Sequence, residues 1–180
     1  MKNCARIGPR IGRTCSHRST TQRTSTMSLE PIKVEAVIDR SPAEVFEAFV
    51  SNVTDWWPLE SHSVGPHLGE PVPEEVVIER HEGGRIFEVS PAGENRLWGV
   101  IHEFKDGTML SFSWHPGMDE ALATRVTVGF EAIDNRNTLV TLIHKGWNAR
   151  GDEATTIREN YVSGWKDIIE VRFSEFVEKN

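Results

Sequence analysis

The chain has 180 residues, 38% of them hydrophobic and 26% charged, a length and balance that fit one globular domain and exclude a disordered or low-complexity chain. Six of its 20 Lys and Arg stand in residues 1–26, where there is no acidic residue, so the remaining 14 face all 27 Asp and Glu, a formal −13. A body that acidic repels phosphate backbones and excludes nucleic acid as a partner, and no apolar run approaches the roughly 18–20 residues of a membrane-spanning helix.

Residues 1–27 read as a basic, disordered extension ahead of a domain at 31–178. The extension is rich in Arg, Ser and Thr and lacks the apolar core of a secretory signal. It reads either as a transit-like segment, which would place the protein in mitochondria, or as a stretch ahead of a working start at Met27. Ile7 and Ile11 make only a thin apolar stripe, which favours the second reading and a cytoplasmic location. Cys4 and Cys15 both fall in the extension, so disulfides, thiolate chemistry and cysteine-ligated zinc are excluded from the domain.

Ile32 to Ile38 alternates apolar and polar residues at its start, the period of a half-buried strand. Ser41, Pro42 and Glu44 form a capping-box signature that starts a helix ending near Asn52. Its apolar stripe is Val45, Phe46, Phe49 and Val53. Thr54 to Pro73, dense in proline and glycine, reads as irregular structure with one short helix. Six strands follow: Val76 to His81, Arg85 to Val89, Leu97 to Phe104, Met109 to His115, Arg125 to Ile133 and Leu139 to Trp147. Gly83-Gly84, Pro91-Ala92-Gly93, Asp106-Gly107, Pro116-Gly117 and Asp134-Asn135 separate them as turns, which predicts an antiparallel meander. Asp152 to Glu178, without proline, places Ile157, Tyr161, Trp165, Ile168, Ile169, Phe173, Phe176 and Val177 on one face of a long helix. The fold class is α+β, a curved antiparallel sheet of six to seven strands gripping a C-terminal helix.

Several residues in this order carry a resemblance. They are Ser41-Pro42-Ala43-Glu44-Val45-Phe46, Trp56-Trp57-Pro58, His62-Ser63-Val64-Gly65, Gly83-Gly84-Arg85, Trp98-Gly99-Val100-Ile101, Trp114, His144-Lys145-Gly146-Trp147, and Arg158, Tyr161 and Gly164-Trp165. From Ile32 to Val177 the chain resembles the helix-grip (SRPBCC) superfamily of START domains, Bet v 1-like pollen allergens and polyketide cyclases. Within it, the chain is most similar to the heat-shock-protein ATPase activator homologue family. The resemblance implies the grip fold but selects no chemistry, because carriers, receptors, cyclases, hydrolases and cochaperones share it.

The histidines show no compact ligand spacing, so neither a metal nor a cofactor is expected. No glycine-flanked serine elbow is present, and Gly83-Gly84-Arg85 lacks phosphate-loop spacing. His144 follows Val140 and Leu142 on one strand face, which sets it beside the expected cavity, either as a ligand anchor or general base, or as a histidine bonded to backbone or to Tyr161. Arg158 and Tyr161 share a helix face with Trp165 one turn later. An inward Arg158 requires an anion, either Glu88 or a ligand. Trp56, Trp57, Trp98, Trp114 and Trp147 divide between core and cavity wall, and His62 completes the cavity candidates. No catalytic residue is assigned.

The leading reading is a binding module for a small hydrophobic or aromatic molecule, with Trp and Tyr walls and His144 and Arg158 as polar anchors. One alternative is a cofactor-free enzyme of the cyclase or dehydratase type that uses a cavity histidine or carboxylate. A cochaperone-like regulator of a heat-shock-protein ATPase is another, with a chaperone as partner. Homodimerisation through a sheet edge is compatible with each.

Overall fold

The structure is a computed structural model that describes residues 29–180; the expectations for residues 1–27 lie outside them. Strand β1 (Ile32–Ile38) is followed by helix α1 (Pro42–Ser51). Ser41 caps α1 by the reciprocal bonds the sequence implies: its side chain accepts from the Glu44 amide, and Glu44 accepts from the Ser41 amide at 3.0 Å. The region expected to be irregular holds three single-turn helices, α2 (Val53–Trp56), α3 (Leu59–His62) and α4 (Val64–His67). Their apolar anchors are too few and too short for a periodic signal.

Strands β2 (Glu75–Ile78), β3 (Arg85–Val89), β4 (Asn95–Lys105), β5 (Met109–Trp114), β6 (Thr124–Ala132) and β7 (Thr138–Lys145) complete a seven-stranded antiparallel sheet. The meander from β2 to β7 is sequential, and β1 returns to pair with β7, giving the order β1-β7-β6-β5-β4-β3-β2. Strand β6 buries Thr124, Val126, Val128 and Phe130, and β7 buries Thr138, Val140, Leu142 and His144. That alternation of two lays one apolar row of each strand on the concave face. Register shifts between Ile86 and Phe87, opposite β4, and between Ile101 and Glu103, within it, lie on either side of Gly99, and such bulges add local twist to a curling sheet. Gly99 sits there because a Cβ would lie 1.8 Å from the Ser113 carbonyl oxygen.

The C-terminal helix crosses the concave face in three segments: α5 (Ala154–Lys166), a π-helical stretch (Asp167–Phe173) and α6 (Ser174–Lys179). The wider π turn keeps Trp165, Ile168, Ile169, Phe173 and Val177 all buried. A 3-10 segment, Trp147–Glu153, precedes α5, so the helix begins two residues later than the periodicity suggests. Register orients the assembly. Phe130 and Phe104, at one end of the sheet, pack against Phe46 of α1 at centroid distances of 5.3 and 5.6 Å, so α1 closes that end. Trp114, Thr124 and His144 are neighbours at the opposite end.

Replacing Gly99 by Ala is expected to lower stability by about 1–3 kcal/mol, since backbone of β4 or β5 must move to admit the methyl group. Thermal unfolding read by circular dichroism checks this, and an unchanged midpoint would contradict the close approach.

Candidate functional site

At the end that α1 leaves open, a pocket of about 430 Å³ opens to solvent between α5, the α3–α4 region and the turn after β5. The aromatic walls are Trp57, Trp114, Tyr161 and Trp165; Ser61, His62, Ser63 and His67 form the opposite rim, and Met118 the edge. Positions Asn160, Tyr161, Gly164, Trp165 and Ile168 of the C-terminal helix face it together, the stripe that 3.6 residues per turn produces. Deeper under the helix the space is filled. Only about 20 Å³ remains among Trp56, Trp98, Phe112 and their neighbours, roughly the volume of a single water site.

The walls are held by a hydrogen-bond chain from helix to sheet. The Trp165 indole N–H donates to His144 Nδ1 at 2.9 Å, so His144 Nε2 carries the proton and donates to Thr124 Oγ1 at 2.6 Å. Thr124 Oγ1 then donates to the Trp114 carbonyl at 3.0 Å. A second link runs across the pocket wall, from the Trp114 indole N–H to the Tyr161 hydroxyl oxygen at 3.1 Å. His144 is 0% exposed. Burial, with a smaller push from Arg150, drops its pKa to about 3. Protonation would also set two N–H donors, His144 and Trp165, against each other. His144 is therefore a neutral tether; its ring lies edge-on to Tyr161 at 5.0 Å rather than bonded to it.

Of the other residues read from the sequence, Trp57, His62, Trp114, Tyr161 and Trp165 line the pocket, whereas Trp56 and Trp98 pack beneath it. Glu88, 0% exposed, accepts from the Val64 and Gly65 amides at 2.7 and 2.8 Å and from the Trp98 indole at 2.8 Å. It thereby pins the α4 rim to β3, and its oxygens are engaged by protein. Arg158 does not turn inward: its Nε donates to the Glu30 carbonyl at 2.7 Å, and it lies outside the pocket lining. His62 is half-buried, its Nδ1 bonded to the Ser61 hydroxyl at 2.8 Å. Burial lowers its pKa, opposed by Asp167 and reinforced by Arg172 and His67.

Sequence reasoning missed Ser61, Ser63, His67, Met118 and Asn160. Asn160 and Gly164 were within reach of the helical stripe that contains Tyr161. The others stand on turns and single-turn helices, where no period marks a shared face. Among the described residues, no group of three or more His, Cys, Asp or Glu is arranged to hold a metal ion, and no helix is long and apolar enough to cross a membrane.

Residues 39–178 match the family described as activator of Hsp90 ATPase homolog 1-like protein. Among solved structures, the chain is similar to an anthrahydroquino-gamma-pyrone synthase, Txn09, solved as a complex. The identity is 27% and the TM-score 0.52 over 73% of this chain and 86% of that one. It also resembles CalC, a self-sacrificing resistance protein of Micromonospora echinospora, at 19% identity and a TM-score of 0.59 over 83% and 94%. The Aha1 dimer of Colwellia psychrerythraea is similar at 15% identity and a TM-score of 0.51 over 79% and 98%. The last two likenesses concern the fold alone. No curated protein matches the sequence.

The depressed pKa of His144 gives stability a definite pH dependence. Between about pH 6.5 and about 3, the unfolded chain binds a proton at this position that the folded chain refuses, so stability falls as pH falls through that window. The slope from one such group is at most about 1.4 kcal/mol per pH unit. Chemical denaturation at pH 7, 6 and 5 is expected to show that slope in the wild type and a shallower one in His144→Gln. Parallel slopes would contradict the buried neutral imidazole.

Proposed function

We propose that this chain, which belongs to the activator of Hsp90 ATPase homolog 1-like family, binds a small hydrophobic or aromatic molecule through its domain at 31–178. The observation that carries this reading is the open-ended pocket, whose Trp walls have their indole N–H groups already bonded to protein. An indole N–H that donates to His144 or Tyr161 has no donor left for water, so the pocket offers an entering ligand apolar faces whose orientation is set beforehand. Preorganised walls spare a ligand the entropy of ordering them. The likeness to a synthase solved as a complex supports small-molecule recognition on this fold.

A second reading is favoured by His62. Its imidazole lies on the pocket rim, and burial lowers its pKa and so favours the neutral form, the state that accepts a proton. The activity then is cofactor-free proton transfer of the cyclase or dehydratase type. With a turned-over substrate in hand, His62→Ala is expected to lower kcat by about a hundredfold with far less change in substrate affinity. Equal losses in binding and turnover would return His62 to a wall residue.

Binding itself is tested by filling the pocket from the helix. A Cβ at Gly164 meets only the His62 ring, Nε2 at 3.5 Å and Cδ2 at 4.0 Å, so Gly164→Leu projects into the pocket from a helix that gains propensity by the exchange. Calorimetric titration with 2-naphthamide, a neutral bicyclic probe, is expected to show binding by the wild type and at least about a tenfold loss in the variant. The thermal midpoint should be unchanged or higher. No heat of binding in the wild type, or equal affinity in the two proteins, would overturn the reading.

A further inference from the structure

Behind the rim of the pocket lies a cation without an anion. Arg150, in the 3-10 segment between β7 and α5, is 6% exposed. Its Nη2 donates to the Trp114 carbonyl at 3.2 Å, its Nη1 points at the Met118 sulfur at 2.6 Å, and its Nε is buried without a partner. It takes part in none of the ion pairs among the described residues. A guanidinium stays protonated in proteins, and burying it against a thioether and one carbonyl leaves most of its lost hydration unreplaced. Burial accordingly pulls its pKa down.

Met118 is the residue between this charge and the pocket. It is 39% exposed, lines the pocket, and turns on an unbranched, flexible side chain. A second orphan stands at the same place: His115 donates from Nδ1 to the Met118 carbonyl at 3.1 Å, and its Nε2 is buried with no partner. Two of the three orphaned side-chain atoms among the described residues thus belong to the two residues that bond Met118. Tyr161, on the pocket wall, accepts from Trp114 and keeps its own hydroxyl proton to give.

We infer that Arg150 is the anion anchor of the pocket, that Met118 covers it when the pocket is empty, and that the ligand is an aromatic or hydrophobic molecule bearing a carboxylate. A carboxylate accepts a guanidinium fork in two parallel bonds. Rotation of Met118 replaces the poor sulfur acceptor with a charged one, while the Tyr161 hydroxyl remains to donate to a ligand oxygen. The anchoring role assigned to Arg158 by the sequence thus passes to Arg150. This inference rests on the pocket binding small molecules at all, and the test separates the two.

The experiment titrates full-length protein with 2-naphthoate and with 2-naphthamide, which share a ring system and differ in charge. The wild type is expected to bind the carboxylate roughly ten- to a hundredfold tighter than the amide. Arg150→Gln should abolish that preference by weakening the carboxylate far more than the amide, and Met118→Ala should increase it. Thermal melts serve as an independent readout: removing an uncompensated charge is expected to leave the midpoint of Arg150→Gln unchanged or raised. Equal wild-type affinity for both probes overturns the anchor while leaving the pocket reading intact, and a preference that survives in Arg150→Gln does the same. If neither probe binds, both fall. If Arg150→Gln does not fold, the wild-type ratio and its direction of change in Met118→Ala decide.

Discussion

The indole N–H of Trp165 reaches across the gap between helix and sheet to a histidine that cannot take up a proton without losing the bond. That contact, continued through Thr124 to the Trp114 carbonyl, ties the C-terminal helix to three strands, β7, β6 and β5, as one rigid unit. A hydrogen bond inside such an apolar cluster is strengthened by the low local dielectric, and a broken one is expensive for the same reason. The helix is therefore held at one height over the concave face, and the height decides how much space lies on each side of Trp165.

The tryptophans divide accordingly. Trp56, Trp98 and Trp147 are interior packing, the last fully buried beneath His144 at a ring distance of 4.0 Å. Trp57, Trp114 and Trp165 form the boundary, one side against the packed interior and the other facing the pocket. Their mutual ring distances of 5.5–6.0 Å, tilted or edge-on, are favourable aromatic geometries, which makes this boundary a stiff wall. Packing at the α1 end, where five phenylalanines interlock edge to face, leaves the aromatic-walled pocket at the other.

Two buried charges at the mouth follow opposite logic. Glu88 has three donors and, so supplied, organises the rim that carries Ser63 and Val64. Arg150 has a sulfur and a carbonyl where it needs a carboxylate. A protein gains nothing in stability from that second arrangement, which points to binding rather than to folding.

Period and capping chemistry made much of this fold legible in the chain. The alternation in β1, β6 and β7, the Ser41-Pro42-Glu44 start of α1, the turn pairs between strands and the apolar stripe through Tyr161 and Trp165 are local signals, and each element formed where its signal lay. The grip architecture was implied by the family resemblance that their order carries together with the motif residues. The site was legible only in part, because a pocket joins residues by distance rather than by spacing. Arg158 and Arg150 are alike in sequence, yet one meets the Glu30 carbonyl at the edge and the other is driven under Met118 by the turn after β7. His144 was marked by its strand face, but whether it served a ligand or the fold depended on the indole of a residue 21 positions away. Burial, tautomer and free volume are properties of the packed ensemble of side chains, and only the tertiary structure decided them.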